Sequence, residues 1–121
     1  MSEQNTLKSI LFHLRKSYSI YQLYLENEEI YVYAKILFDS NNKLNKLLIE
    51  SGGLLNESLD ESVIALNIHL EAWMLNWKEY EKLFNGVSIF ERFHFETKFP
   101  FPKEAEKTLI DFYSKINKNG Q

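Results

Sequence analysis

Apolar side chains recur along this chain at alternating intervals of four and three, the spacing that lines one side of a 3.6-residue helix. In the first segment Leu7, Leu11, Leu14, Tyr18, Tyr21 and Leu25 keep that rhythm. Asn27 has the chemistry of an N-cap, and Glu28 and Glu29 behind it suit the positive end of a helix dipole, so a second helix is predicted from there. Its stripe is Ile30, Ala34, Leu37, Asn41, Leu44 and Leu48, with Asn41-Asn42 as a potential kink and Gly52-Gly53 as its end. Ser58-Leu59-Asp60-Glu61 is an S-x-x-E capping box that opens a third helix. Val63, Leu66, Leu70, Trp73, Trp77, Tyr80 and Phe84 form its stripe up to Asn85-Gly86, a rod of about 40 Å. Ile64, Ile68 and Leu75 widen that stripe and predict neighbours on two sides.

Beyond Gly86 the pattern changes. A second S-x-x-E box, Ser88 to Glu91, predicts a short helix to about Glu96, although Phe93, Phe95 and Phe99 among polar residues also resemble strand alternation. Phe99-Pro100-Phe101-Pro102 is extended, because each proline drives the preceding residue out of the helical region. Ala105, Leu109, Phe112 and Ile116 then make a last helical stripe, closed by Asn119-Gly120. The fold class expected is all-α: a single-domain antiparallel bundle of about four to five helices over residues 1–121.

With 121 residues, 45% of them hydrophobic and 26% charged, the chain has the make-up of one ordinary globular domain. Its longest apolar run, Ile30 to Ala34, falls far short of the ~20 residues that cross a bilayer, and no membrane association is expected. The start carries Glu3 and polar residues throughout, unlike a secretory signal, so the cytoplasm is the expected compartment. A net charge of −3 disfavours direct nucleic-acid binding through phosphates. The absence of cysteine excludes disulfides, thiolate metal sites and cysteine nucleophiles.

Catalytic patterns are missing as well. His13, His69 and His94 form no H-x-x-x-H pair, and Glu91-Arg92-Phe93-His94 is one E-x-x-H where a di-iron bundle needs two. Neither Arg15 nor Arg92 is followed four to six residues later by the histidine that a HEPN-type RNase would place there. There is no G-x-S-x-G elbow, and Ser51-Gly52-Gly53 lacks phosphate-loop spacing. No enzymatic activity, metal or cofactor is therefore expected. A pocket lined by Trp73, Trp77 and His69 is the remaining route to small-molecule chemistry, against the simpler reading of those aromatics as core.

Charge layout and tyrosines offer a different lead. Between Glu50 and Glu81 stand Glu50, Glu57, Asp60, Glu61, Glu71, Glu79 and Glu81 against Lys78 alone, a balance of −6 within a total of −3. A solvated helix face with acids at its N-terminus for the dipole explains Glu57, Asp60 and Glu61, and the alternative is a face that attracts a cationic protein. Tyr18, Tyr21, Tyr24, Tyr31 and Tyr33 cluster around the first interhelical turn, either sealing the bundle or offering interface anchors. In format, though through no shared motif, the chain resembles the small acidic helical immunity proteins of bacterial colicin and contact-dependent growth inhibition systems. That resemblance implies a non-enzymatic inhibitor that masks a cognate, basic, nuclease-type toxin. Glu57, Asp60, Glu61 and Glu71 would then complement its charge, with Tyr24 and Tyr31 as anchors. The alternative is a self-associating helical adaptor or antitoxin, a homodimer without such a partner.

Overall fold

The computed structural model describes residues 2–119. Its helices are α1 (Glu3–Glu26), α2 (Tyr31–Glu50), α3 (Asp60–Lys82) and α4 (Lys103–Asn119), with a 3-10 turn at Glu57–Leu59 leading into α3. The fold is an all-α bundle. The first half of α1 packs with the second half of α2 and the first half of α3, while the other halves meet at the opposite end, so neighbouring helices in this set alternate in direction. Gln4 near the start of α1 donates to the Asn117 side chain at the end of α4 (2.7 Å), which makes α4 antiparallel to α1.

Two cores follow from this arrangement. Leu7, Ile10, Leu14, Leu44, Leu48, Leu66, Leu70 and Leu109 belong to an aliphatic cluster that α4 helps close. Ile20, Tyr24, Phe38, Trp73, Trp77, Phe93 and Phe95 belong to an aromatic cluster that α4 does not reach. The stripes predicted for the third and the last helix match the buried faces of α3 and α4, through Leu66, Leu70, Trp73 and Trp77 and through Ala105 and Leu109. Helix α2 runs through Asn41-Asn42 without a break, and Gly53, at φ 86°, turns the chain after it. Gly120 lies outside the described residues.

Several expectations are corrected. The buried face of α1 is Leu7, Ile10, Leu14, Ser17, Ile20 and Tyr24, whereas Tyr18 and Leu25 face solvent. Ser17 hides this continuation because it is polar, yet its hydroxyl is satisfied by Ser40 at 2.9 Å and it packs like a small apolar residue. Asn27 caps the end of α1 instead of opening α2: its backbone and side-chain nitrogens both donate to the Leu23 carbonyl. Glu28 and Glu29 then adopt left-handed φ angles of 60° and 56°, and the Glu29 N–H closes a Schellman-like bond to the Tyr24 carbonyl at 2.8 Å. Ahead of α3, Asn56 rather than Ser58 provides the capping oxygen, accepting from the Ser58 N–H.

The predicted helix from Ser88 to Glu96 is not formed. Its capping residues act locally, with Ser88 Oγ accepting from the Phe90 N–H and Glu91 Oε1 from the Val87 N–H. From Arg92 the chain is extended, with Phe93 and Phe95 buried and Arg92, His94 and Glu96 exposed, the period-two pattern of a strand. This segment completes another element. The first N–H groups of α2 have no side-chain cap; instead Tyr31 and Val32 donate to the carbonyls of Glu91 and Ile89, both at 2.8 Å.

Candidate functional site

Leu66, Leu70, Trp73 and Trp77 bury one side of α3, so residues half a turn away must face outward. Those residues are Asp60, Ile64, Ile68, Glu71 and Leu75, spaced four, four, three and four apart, with Glu61 at the edge. Helix α3 does touch two neighbours, α2 and α4, but neither covers Ile64, Ile68 and Leu75, which are 54%, 61% and 68% exposed. The result is an aliphatic row bordered by acids. Glu57, Asp60, Glu61 and Glu71 are all exposed and form no ion pair among the described residues. Farther along α3, Glu79 is paired with Lys82 at 3.0 Å, and Glu81 accepts from the Tyr31 hydroxyl. Lys78 leans over the Phe38 ring at 5.6 Å.

The two expected tyrosine anchors are not on this row. Tyr24 is 1% exposed, with its ring against Phe95 at 5.3 Å and its hydroxyl donating to the Phe93 carbonyl. It is a core residue and offers no partner contact. Burial, reinforced by the nearby Glu29 charge, pushes its phenol pKa up. Tyr31 is half-buried, stacked on Phe84 at 4.7 Å, edge-on to Phe93 at 5.4 Å and bonded through its hydroxyl to Glu81 at 3.0 Å. Desolvation and that carboxylate raise its pKa to about 12. Both rings hold the α1–α2 turn against the extended segment. Tyr18, on the outward face of α1, is the exposed member of the group at 66%.

The histidines are dispersed. His13 Nδ1 lies 2.9 Å from the Ser9 carbonyl, and His69 is half-buried and edge-on to Phe101, with burial lowering its pKa. His94 contacts Glu29 at 3.0 Å, and Arg92 donates to the same carboxylate at 2.8 Å. The Arg92 hydrogen bond, with His94 adding to it, holds the Glu29 carboxyl below its ordinary range. Glu91 and His94 thus have separate partners. No group of three or more His, Asp or Glu side chains suited to a metal ion converges among the described residues.

One concave site stands apart from the α3 row. It is an open cavity of about 1130 Å³ between α1, α2, α3, α4 and the Thr97–Phe101 segment. Leu14, Leu37, Leu44, Leu70 and Trp73 supply apolar walls, and Lys8, Arg15 and Lys98 bring positive charge. Trp73 and His69 border it as expected for a pocket, while Trp77 is sealed in the core. No helix among the described residues is long and apolar enough to cross a membrane. No family model, curated protein or solved structure matches the chain.

Proposed function

We propose that this chain is a non-enzymatic protein inhibitor, an immunity protein of bacterial cytoplasm that binds a basic, nuclease-type toxin and covers its active surface. The observation that supports this reading is the outer face of α3: three exposed aliphatic side chains in a row, edged by carboxylates that form no ion pair among the described residues. Interfaces combine an apolar centre with a polar rim, and the rim charges set partner choice and encounter rate more than they set affinity. Here Ile64, Ile68 and Leu75 are the centre, and Glu57, Asp60, Glu61 and Glu71 the rim.

Charge also weighs between this reading and a homodimer. Glu57, Asp60, Glu61, Glu71 and Glu79 outnumber Lys78 and Lys82 on and beside that face. A second copy would lay one negative surface on another, whereas a cationic toxin would be drawn to it. The test is affinity capture from the native cells, followed by titration calorimetry with the captured toxin domain. Glu61→Lys combined with Glu71→Lys should slow association about tenfold or more at low salt, and Ile68→Asp should cost on the order of 2 kcal/mol of binding. Unchanged binding in both variants, or a stable dimer of the isolated protein by light scattering, would overturn the reading.

A further inference from the structure

The cavity beside α1 has no role in the reading above and uses none of its residues. At about 1130 Å³ it is a little larger than the ~300–1,000 Å³ typical of small-molecule sites. Its walls are built from side chains that also serve the two cores, among them Leu14, Leu44 and Leu70 on one side and Leu37 and Trp73 on the other. A long apolar body can therefore lie across the junction of the two clusters and remove that lining from water.

Two further observations define what such a body carries. The charged lining side chains, apart from half-buried His69, are Lys8, Arg15 and Lys98 against Glu106 alone, and none of these four is in an ion pair among the described residues. The cavity thus has an excess of unneutralised cations. His69 adds no charge near neutral pH, since burial holds its pKa down. The second observation is Asn41, a polar side chain that is only 8% exposed and borders the cavity. An amide set in an apolar wall is destabilised when its hydrogen bonds are lost, so a purely hydrocarbon occupant is disfavoured.

We propose that the cavity binds an amphipathic carboxylate of the fatty-acid type, its chain against Leu37, Leu44, Leu70 and Trp73 and its carboxylate held by Arg15, Lys8 and Lys98. Arg15 offers a guanidinium fork matched to a carboxylate, and the two lysines add charge without fixing geometry. Asn41 keeps a polar contact available inside, to an ordered water or to the ligand.

Decanoate and decanol are the probes, titrated by calorimetry into the full chain at low and high salt. Amide NMR follows the Asn41 side-chain NH₂ signal. Decanoate should bind one-to-one, move that signal, and bind at least about tenfold more tightly than decanol, with the advantage shrinking in salt. Arg15→Gln combined with Lys98→Gln should bring decanoate down to the level of decanol. Ile110→Trp, a change at a partly exposed lining position, should block both probes while leaving the helical circular dichroism unchanged. Absence of decanoate binding, equal binding of the two probes, or binding that leaves the Asn41 signal in place would overturn the proposal.

Discussion

At one end of the bundle the core is leucine and isoleucine from four helices; at the other it is tyrosine, tryptophan and phenylalanine from three helices and one extended segment. The difference follows from what closes each end. Helix α4 arrives at the aliphatic end with its backbone hydrogen bonds already made within itself, so it needs only an apolar face. The Arg92–Glu96 segment arrives at the other end with its backbone groups unpaired, and every buried one requires a partner. Partners are supplied individually: the Glu29 carbonyl accepts from the Phe93 N–H, the Tyr24 hydroxyl donates to the Phe93 carbonyl, and the Asn76 amide donates to the Glu96 carbonyl. Large flat rings then fill the space that a fourth helix would have taken. An extended closure thus requires specific polar contacts and aromatic bulk where a helical one does not.

The hardest blow to this comparison is expected from Trp77→Ala, which removes the largest fully buried side chain of the aromatic end. It should cost about 3–5 kcal/mol in urea unfolding, somewhat more than the ~2–5 kcal/mol expected for Leu66→Ala at the aliphatic end. Part of the tryptophan's value is already offset, since its indole N–H is buried with no hydrogen-bond partner among the described residues. An unchanged urea slope in both variants would mean that the two ends unfold together, and a lower slope for Trp77→Ala alone would mean that the aromatic end had come apart first.

Tyr24→Phe comes next. It keeps the ring and deletes one buried hydrogen bond, with an expected loss of about 1–3 kcal/mol. Hydrogen exchange should accelerate at the Phe93 amide and remain unchanged in α4. Equal acceleration in both places would contradict a closure specific to one end.

A smaller effect is expected from pH. The Glu29 carboxyl is held below its ordinary 4.5, so its contribution is complete above that pH and is lost as pH falls through the lowered value. The Tyr24 and Tyr31 phenols are raised, so theirs is complete below pH 10 and is lost as pH climbs beyond it. Both limits belong to the aromatic end. Thermal melts across pH should show Glu29→Gln flattening the acid limb by less than about 1 kcal/mol, because Arg92 and His94 are substantially exposed. The smallest change is expected from Glu71→Lys in the middle of the free α3 face, within about ±0.5 kcal/mol of the parent stability. A larger loss would show that this face has a structural duty.

The aliphatic end was the more legible of the two in the amino-acid sequence. Its residues lie on helices whose period is regular, and Leu66, Leu70, Ala105 and Leu109 could be placed by counting alone. The aromatic end resisted because its decisive features are tertiary. Ser17 continues the buried face of α1 only because Ser40 stands opposite, and Ser88–Glu91 resembles a helix start although its carbonyls serve α2. Tyr24 and Tyr31 invited an interface role, yet their hydroxyls are committed within the fold. The acids of α3 are legible, but apolar periodicity alone does not distinguish the exposed aliphatic row between them from a buried side. The cavity was hardest to foresee, because concavity arises from gaps between helices, which no periodicity encodes.

Both tryptophans of this chain stand at the aromatic end, and their surroundings differ. Trp77 is shut away from solvent, while Trp73 borders the cavity. Tryptophan emission should therefore follow the aromatic end, with Trp77 reporting release of the extended closure and Trp73 reporting the cavity that this end shares with Leu14, Leu44 and Leu70.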